Sequence, residues 1–318
     1  MIPGTTTRFI ETTGVRLEVT EAGSGPLVVL LHGFPELAFS WRHQFGPLAE
    51  AGFHVVAPNQ RGYGASSRPE PIDAYSVEHL AGDVAGLIRH FGAEPAVVIG
   101  HDWGAPVAWH SALRHPELVR AVGSLSVPHA RRSPRAPLEL MRTAAGPDHI
   151  HYIDYFQQPG VAEAEFEADI EASISGFVWS ISGDAPPDER FRPIPRGQRF
   201  IDSFRPPARL PAWFTKEDLA VYASAFRQSG FRGGLNWYRN VNRNWEQSAD
   251  LAGAVVRQPA MFVTGSRDPA RNPPAMERLR ETVPNLRVFE VLTSCGHWTQ
   301  QERPDEVTRL MKSFLLGL

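Results

Sequence analysis

Cysteine is almost missing from this sequence: Cys295 is the only one in 318 residues. A single thiol excludes an internal disulfide and any zinc site built on cysteines. Lysine is nearly as scarce, with only Lys216 and Lys312, so almost all positive charge is arginine. No basic run accompanies that skew, which reads as coding bias. Neither sign of charge dominates, since 32 basic and 35 acidic residues leave a formal charge of −3. The balance argues against a dedicated electrostatic partner such as nucleic acid or an anionic membrane. No apolar run nears the roughly 20 residues that a membrane-spanning helix needs. The first residues, MIPGTTTRFIETTG, carry neither the apolar core nor the basic cluster of a secretory signal. Repeats and low-complexity tracts are also lacking. A soluble cytoplasmic protein is the expectation, and a homodimer is left open.

What remains is an ordinary globular composition, 42% apolar and 21% charged. With 27 glycines and 28 prolines, the chain stays below the level that signals disorder. At roughly 150 residues per domain, the length suggests two structural units or one large domain with an insertion. The first third alternates strands and helices. Buried-type strands are expected at Leu27–Leu31, His54–Ala57, Ala96–Ile99 and Ala121–Val127, with an alternating strand over Val15–Thr20. Helices are expected over 76–91, where apolar residues recur at helical spacing behind Ser76, and over 104–115. The rhythm returns with a strand at Ala260–Thr264, a helix at 275–283, a strand at 286–291 and a helix at 304–316. Such repetition predicts a mostly parallel sheet flanked by helices. Residues 131–250 break the pattern and read as an inserted, mainly helical cap on a core made of 1–130 and 251–318. Within the cap, 183–211 holds seven prolines, too many for a regular element. A cap of this size would lie over the C-terminal strand ends, where open α/β sheets bind ligands.

The strongest local signal is Gly100-His101-Asp102-Trp103-Gly104, set between a buried strand and a helix. It has the form of a nucleophile elbow, with aspartate where serine is usual. Small residues at both ends permit the sharp turn that lifts Asp102 above the sheet, and the helix N-terminus favours an anion there. His32-Gly33-Phe34-Pro35 directly follows the first buried strand. A turn there can aim the Phe34 N–H into the pocket that the Trp103 N–H faces, and two such donors make an oxyanion hole. The remaining members must follow in the order acid, then histidine. Asp268 lies just past the Ala260–Thr264 strand, and His297 lies past the 286–291 strand. The segment after Ala121–Val127, a rival place for the acid, offers no carboxylate.

These motifs resemble those of the α/β-hydrolase-fold epoxide hydrolases of the soluble type, over essentially the whole chain. The loop Arg61-Gly62-Tyr63-Gly64-Ala65-Ser66 fits the same pattern and is taken as structural; Asn59, where many relatives carry Asp, is a small departure. Two cap segments extend the resemblance: Tyr152-Ile153-Asp154-Tyr155-Phe156-Gln157 and Gly234-Leu235-Asn236-Trp237-Tyr238-Arg239. The resemblance implies that Tyr152 and Tyr238 are lid tyrosines, with Tyr155 as the substitute should the register differ. It implies a small-molecule epoxide substrate and no metal or organic cofactor. The pair His149 and His151 is too small a set for a metal site.

An aspartate nucleophile also narrows the chemistry. Attack on an ester would give an anhydride, a poor intermediate, whereas attack on a saturated carbon gives an alkyl ester that water can open. The substrate then needs an electrophilic carbon with a leaving group, an epoxide or an alkyl halide. For an epoxide, Tyr152 and Tyr238 would protonate the ring oxygen, as phenols with a pKa near 10 can. His297, oriented by Asp268, would activate the hydrolytic water. A haloalkane dehalogenase would use the same Asp102, His297 and Asp268, with Trp103 as a halide donor. Phe34 stands where a halide-holding Asn is expected, and the two tyrosines favour the epoxide. A binding protein on this scaffold would not need the intact set, and a serine esterase lacks its serine.

Overall fold

A computed structural model describes residues 2–92 and 95–318. Its centre is an eight-stranded sheet: β1 (Thr6–Glu11), β2 (Arg16–Ala22), β3 (Leu27–Leu31), β4 (His54–Asn59), β5 (Ala96–His101), β6 (Val119–Leu125), β7 (Ala260–Gly265) and β8 (Leu286–Leu292). The spatial order is β1-β2-β4-β3-β5-β6-β7-β8. β1 pairs with β2, and β2 with β4, antiparallel; every other pairing is parallel. The central strands β3, β5 and β7 are buried at every residue, as strands covered on both faces must be. β1 was not anticipated from sequence: as an edge strand it buries only Ile10, so it carries no apolar pattern.

Helices cover both faces. Val77–His90 and Gly104–Arg114 pack on one, with Val84, Leu87, Val107 and Ala108 against Val29, Leu31 and Val98. Phe45–Glu50 and Pro304–Leu316 pack on the other, against Val28, Leu30, Val97 and Ile99. Three expectations differ in local detail. β6 stops at Leu125 because Ser126 turns to φ 73°, outside extended geometry. The expected helix over 275–283 is two short ones, Pro273–Glu277 and Leu279–Thr282, interrupted at Arg278. Ser76 precedes its helix, but its hydroxyl pairs with the His79 ring at 2.8 Å and caps no backbone N–H.

Between β6 and β7 the chain adds no strand to the sheet. It forms helices Pro137–Ala145, Tyr152–Tyr155, Val161–Ala168, Ile170–Ser180, Lys216–Ser229, Arg232–Arg239 and Val241–Gln247. The proline-rich stretch 183–211 is largely irregular, with only the two-residue strand Ile194–Pro195 and a short turn of helix at Phe200–Ser203. Phe156, Phe166, Phe200 and Phe231 join this helical segment to the same apolar cluster as the sheet face beneath it. None of the helices among the described residues is long and apolar enough to cross a membrane.

Candidate active site

The site begins with a backbone bend. β5 ends at His101 and a helix starts at Gly104, so the reversal falls on two residues. Asp102 takes φ 49°, a left-handed conformation rare for a residue with a side chain. The bend closes only because its flanks have no Cβ. A Cβ on Gly100 would lie 1.9 Å from the Gly104 carbonyl oxygen, and one on Gly104 would lie 2.2 Å from that of Leu31. The helix therefore sits tight on β3, and the Asp102 carboxylate stands above the C-terminal ends of the strands.

Its two oxygens face different partners. Oδ1 accepts the Phe34 N–H at 2.8 Å. Oδ2 lies 3.4 Å from His297 Nε2. On the far side of the ring, His297 Nδ1 is 2.9 Å from Asp268 Oδ1, which also accepts the Ala270 N–H at 2.8 Å. The three residues expected to meet, from three distant parts of the chain, do meet.

Burial pulls the His297 imidazole toward its neutral form. The Asp268 charge, hydrogen bonds to Asp102 and Asp268, and the Asp102 charge outweigh that pull and hold its pKa well above the ordinary value. Burial likewise opposes ionisation of Asp268, but the charge and hydrogen bond of His297 hold its carboxyl below the usual range. The two carboxyl groups thus flank the ring and favour its protonated form.

Over Asp102 lies a cavity of about 100 Å³, lined by Tyr152, Tyr238, Phe34, Phe177, Phe191 and His297 among others. Tyr152 opens one helix of the insertion and Tyr238 belongs to another, and their rings meet at 5.9 Å. Burial, then the Asp102 charge, pushes both phenols above their usual pKa near 10, so the acidity expected from an unperturbed phenol is lowered in the resting state. Tyr155 turns away and its hydroxyl donates to Glu165. Trp103 does not line the cavity. Its indole packs edge-on against Tyr238 and Trp237, at 5.1 and 6.1 Å.

Other sequence features resolve into structure. His151 accepts the Ile153 N–H and stacks on Tyr152, and no group of three or more potential ligands for a metal occurs among the described residues. Arg61 is buried in a bidentate pair with Asp83, at 2.6 and 2.7 Å. Asn59 bridges the Glu18 carboxylate and the Ala38 N–H. Cys295 is buried, which pushes its thiol pKa up and leaves it unreactive.

Sequence reasoning missed a second buried array. Glu36 Oε2 accepts the Gly33 N–H at 3.0 Å and sits 2.6 Å from His101 Nδ1. His101 Nε2 in turn donates to the His297 carbonyl at 2.8 Å, and Ser126 Oγ donates to the same oxygen. Burial opposes the Glu36 charge, but His101 and the Gly33 N–H outweigh it, and the pKa falls to about 2. One imidazole thus ties the loop of Phe34 to the loop of His297. The clue available beforehand was a glutamate directly after His32-Gly33-Phe34-Pro35 and a histidine inside the elbow.

Residues 26–304 match the family of the alpha/beta hydrolase fold. The chain is 46% identical over 316 residues to epoxide hydrolase A of Mycobacterium tuberculosis, covering 98% of both chains. It superposes on an epoxide hydrolase from an endophytic Streptomyces with a TM-score of 0.96 at 43% identity, covering 99% of this chain and 96% of the other. Epoxide hydrolase A from Mycobacterium thermoresistibile superposes with a TM-score of 0.93 at 47% identity, with 99% of each chain covered.

The electrostatics make one direct prediction. The Asp102 charge helps hold the His297 proton, so Asp102→Asn lowers the His297 pKa relative to the unaltered protein. NMR titration of the imidazole reads it, and an unchanged or higher value contradicts the charge coupling.

Proposed function

This chain belongs to the epoxide hydrolases of the alpha/beta hydrolase fold, and from that premise we propose that it opens epoxides through a covalent ester on Asp102. The observation that carries the proposal is the split role of the Asp102 oxygens: Oδ1 is held by a main-chain donor, while Oδ2 is free of such a bond and faces the cavity and His297.

Oδ2 attacks one epoxide carbon from the side opposite the ring oxygen. The carbon–oxygen bond breaks, and the oxygen leaves as a developing alkoxide toward Tyr152 and Tyr238. Both phenols are kept protonated at rest, and an alkoxide is a stronger base than either phenolate, so proton transfer runs downhill as the ring opens. The helical insertion 131–250 serves as the lid that brings these hydroxyls over the carboxylate. Its closure excludes bulk water and strengthens each polar contact.

Ester formation removes the Asp102 charge. One of the causes that raises the His297 pKa disappears with it, so the imidazolium passes its proton to the phenolate left by ring opening and becomes the general base that the second step requires. Water activated by His297 attacks Cγ of Asp102. The negative charge collects on Oδ1, where the Phe34 N–H already points and for which the Trp103 N–H is assigned as the second donor. Collapse breaks the Cγ–Oδ2 bond and the departing Oδ2 takes the proton of the hydroxyl that water added, so the diol leaves with Oδ2 and the carboxylate is rebuilt with the oxygen of water. Asp268 holds the imidazole with Nε2 toward the ester throughout. The cavity is smaller than the roughly 300–1,000 Å³ of pockets for drug-sized ligands, which points to compact epoxides.

A dehalogenase reading finds less support: Trp103, the candidate halide donor, packs on Tyr238 and is not among the residues that line the cavity, and the polar groups facing Asp102 from the insertion are tyrosine hydroxyls.

His297→Ala is expected to form the ester and stall, so that intact-protein mass rises by one substrate mass after mixing with styrene oxide. Unimpaired turnover without an adduct contradicts the assignment of the base. Tyr238→Phe is expected to slow ester formation about 100-fold, the effect of losing one positioned acid. A rate of ester formation equal to that of the unaltered enzyme means that Tyr238 gives no proton.

A further inference from the structure

The insertion touches the core at one polar cluster that leads back to the oxyanion loop. Helix Lys216–Ser229 brings Asp218 and Tyr222 down to Arg42 and Gln301. Arg42 Nε pairs with Asp218 Oδ1 at 3.1 Å, and Nη2 donates to the Trp213 carbonyl at 3.2 Å. Its Nη1 donates to Gln301 Oε1 at 2.6 Å. The Tyr222 hydroxyl donates to the same oxygen at 3.3 Å and lies 2.7 Å from Ser40 Oγ. Gln301 Nε2 donates to Glu36 Oε1 at 3.1 Å. Glu36 Oε2 accepts the Gly33 N–H, and the next residue, Phe34, supplies the donor to Asp102. Gln301, Glu36 and Tyr222 are each 3% exposed or less, so water cannot replace these partners.

A carboxamide has an accepting end and a donating end, and here they cannot be exchanged. Turning the amide over would set its NH₂ against the Arg42 guanidinium and its oxygen against the Glu36 carboxylate. The donors that fix this orientation are Tyr222, which belongs to the insertion, and Arg42, which two groups of the insertion hold in place. Gln301 also sits four residues past His297, in the short helix Thr299–Glu302, so it borders both the loop of the base and the loop of the oxyanion donor.

We propose that Gln301 is a positioning residue through which the docked helix 216–229 sets the aim of the oxyanion donors. With the helix seated, Arg42 and Tyr222 lock the amide, the amide holds Glu36, and Glu36 holds the Gly33–Phe34 turn. With the helix displaced, the amide oxygen loses its donors and Glu36 loses one of its own. The chemistry affected is chiefly the second step, because full negative charge appears on Oδ1 only when water adds to the ester. The inference rests on the covalent reading given above.

The test is a double-mutant cycle of Gln301→Met and Tyr222→Phe, read by rapid acid quench and intact-protein mass during single turnover of styrene oxide. Gln301→Met is expected to lower the ratio of ester hydrolysis to ester formation about tenfold, the order expected for one hydrogen bond to a charged group. Ester then accumulates, kcat falls, and kcat/KM, set by alkylation, holds. Tyr222→Phe is expected to lower the ratio by a smaller factor, about threefold, because Arg42 still holds the amide. Adding it to Gln301→Met is expected to cost nothing further. A merely structural role moves the Tm and leaves the ratio alone. An unchanged ratio in both single variants, or effects that multiply in the double variant, overturns the proposal. If Gln301→Met does not fold, an unchanged ratio in Tyr222→Phe overturns it by itself. His297→Ala run in parallel separates the two readings: absence of ester there removes the covalent step, whereas ester there with no response at Gln301 or Tyr222 removes only the positioning role.

Discussion

The forced bend at Asp102 is the constraint on which the rest depends. A side-chain-bearing residue at φ 49° is costly, of order 1–3 kcal/mol, and persists because the surroundings allow no other path. Gly100 and Gly104 let helix and strands approach to distances that any Cβ would forbid. The reversal holds a carboxylate clear of the sheet, with its two oxygens already distinguished by their neighbours. Orientation settled by folding need not be paid for again at the moment of reaction.

Charge balance follows from that placement. Two carboxyl groups flank one buried imidazole, and their proximity favours its charged form. In the proposed mechanism each step then changes the next. Alkylation cancels one negative charge, the imidazolium loses part of its support, and a base appears where water must be activated. Hydrolysis restores the carboxylate and with it the proton on His297. The second buried array, Glu36 with His101, titrates no reacting group directly. It fixes two main-chain segments, one carrying the Phe34 N–H and one carrying the His297 carbonyl, to a shared imidazole.

Much of this was legible in the sequence because it lies in local patterns. Continuous apolar runs marked β3, β5 and β7, and the glycines around Asp102 marked the elbow. Asp268 and His297 were found by their places after strands. Tyr152 and Tyr238 came from resemblance rather than from chemistry, since a tyrosine in a helical segment has no local signature of function. The edge strand β1 escaped because an exposed strand leaves no apolar alternation. Arg278 and Ser126, which end elements early, do so through backbone angles that composition does not reveal. Glu36, His101 and Gln301 were passed over because their partners come from opposite ends of the chain. The direction of the phenol shifts depends on burial, which spacing alone cannot supply.

The central claim is that an oxygen of Asp102, rather than one from solvent, enters the diol. Single turnover in ¹⁸O-labelled water, with enzyme in excess over epoxide, tests it most directly. A covalent route predicts an unlabelled first-turnover diol and one labelled oxygen in the peptide that contains Asp102. Label in that first diol, with none in the peptide, would mean that water attacks the epoxide directly and that the carboxylate is not the nucleophile.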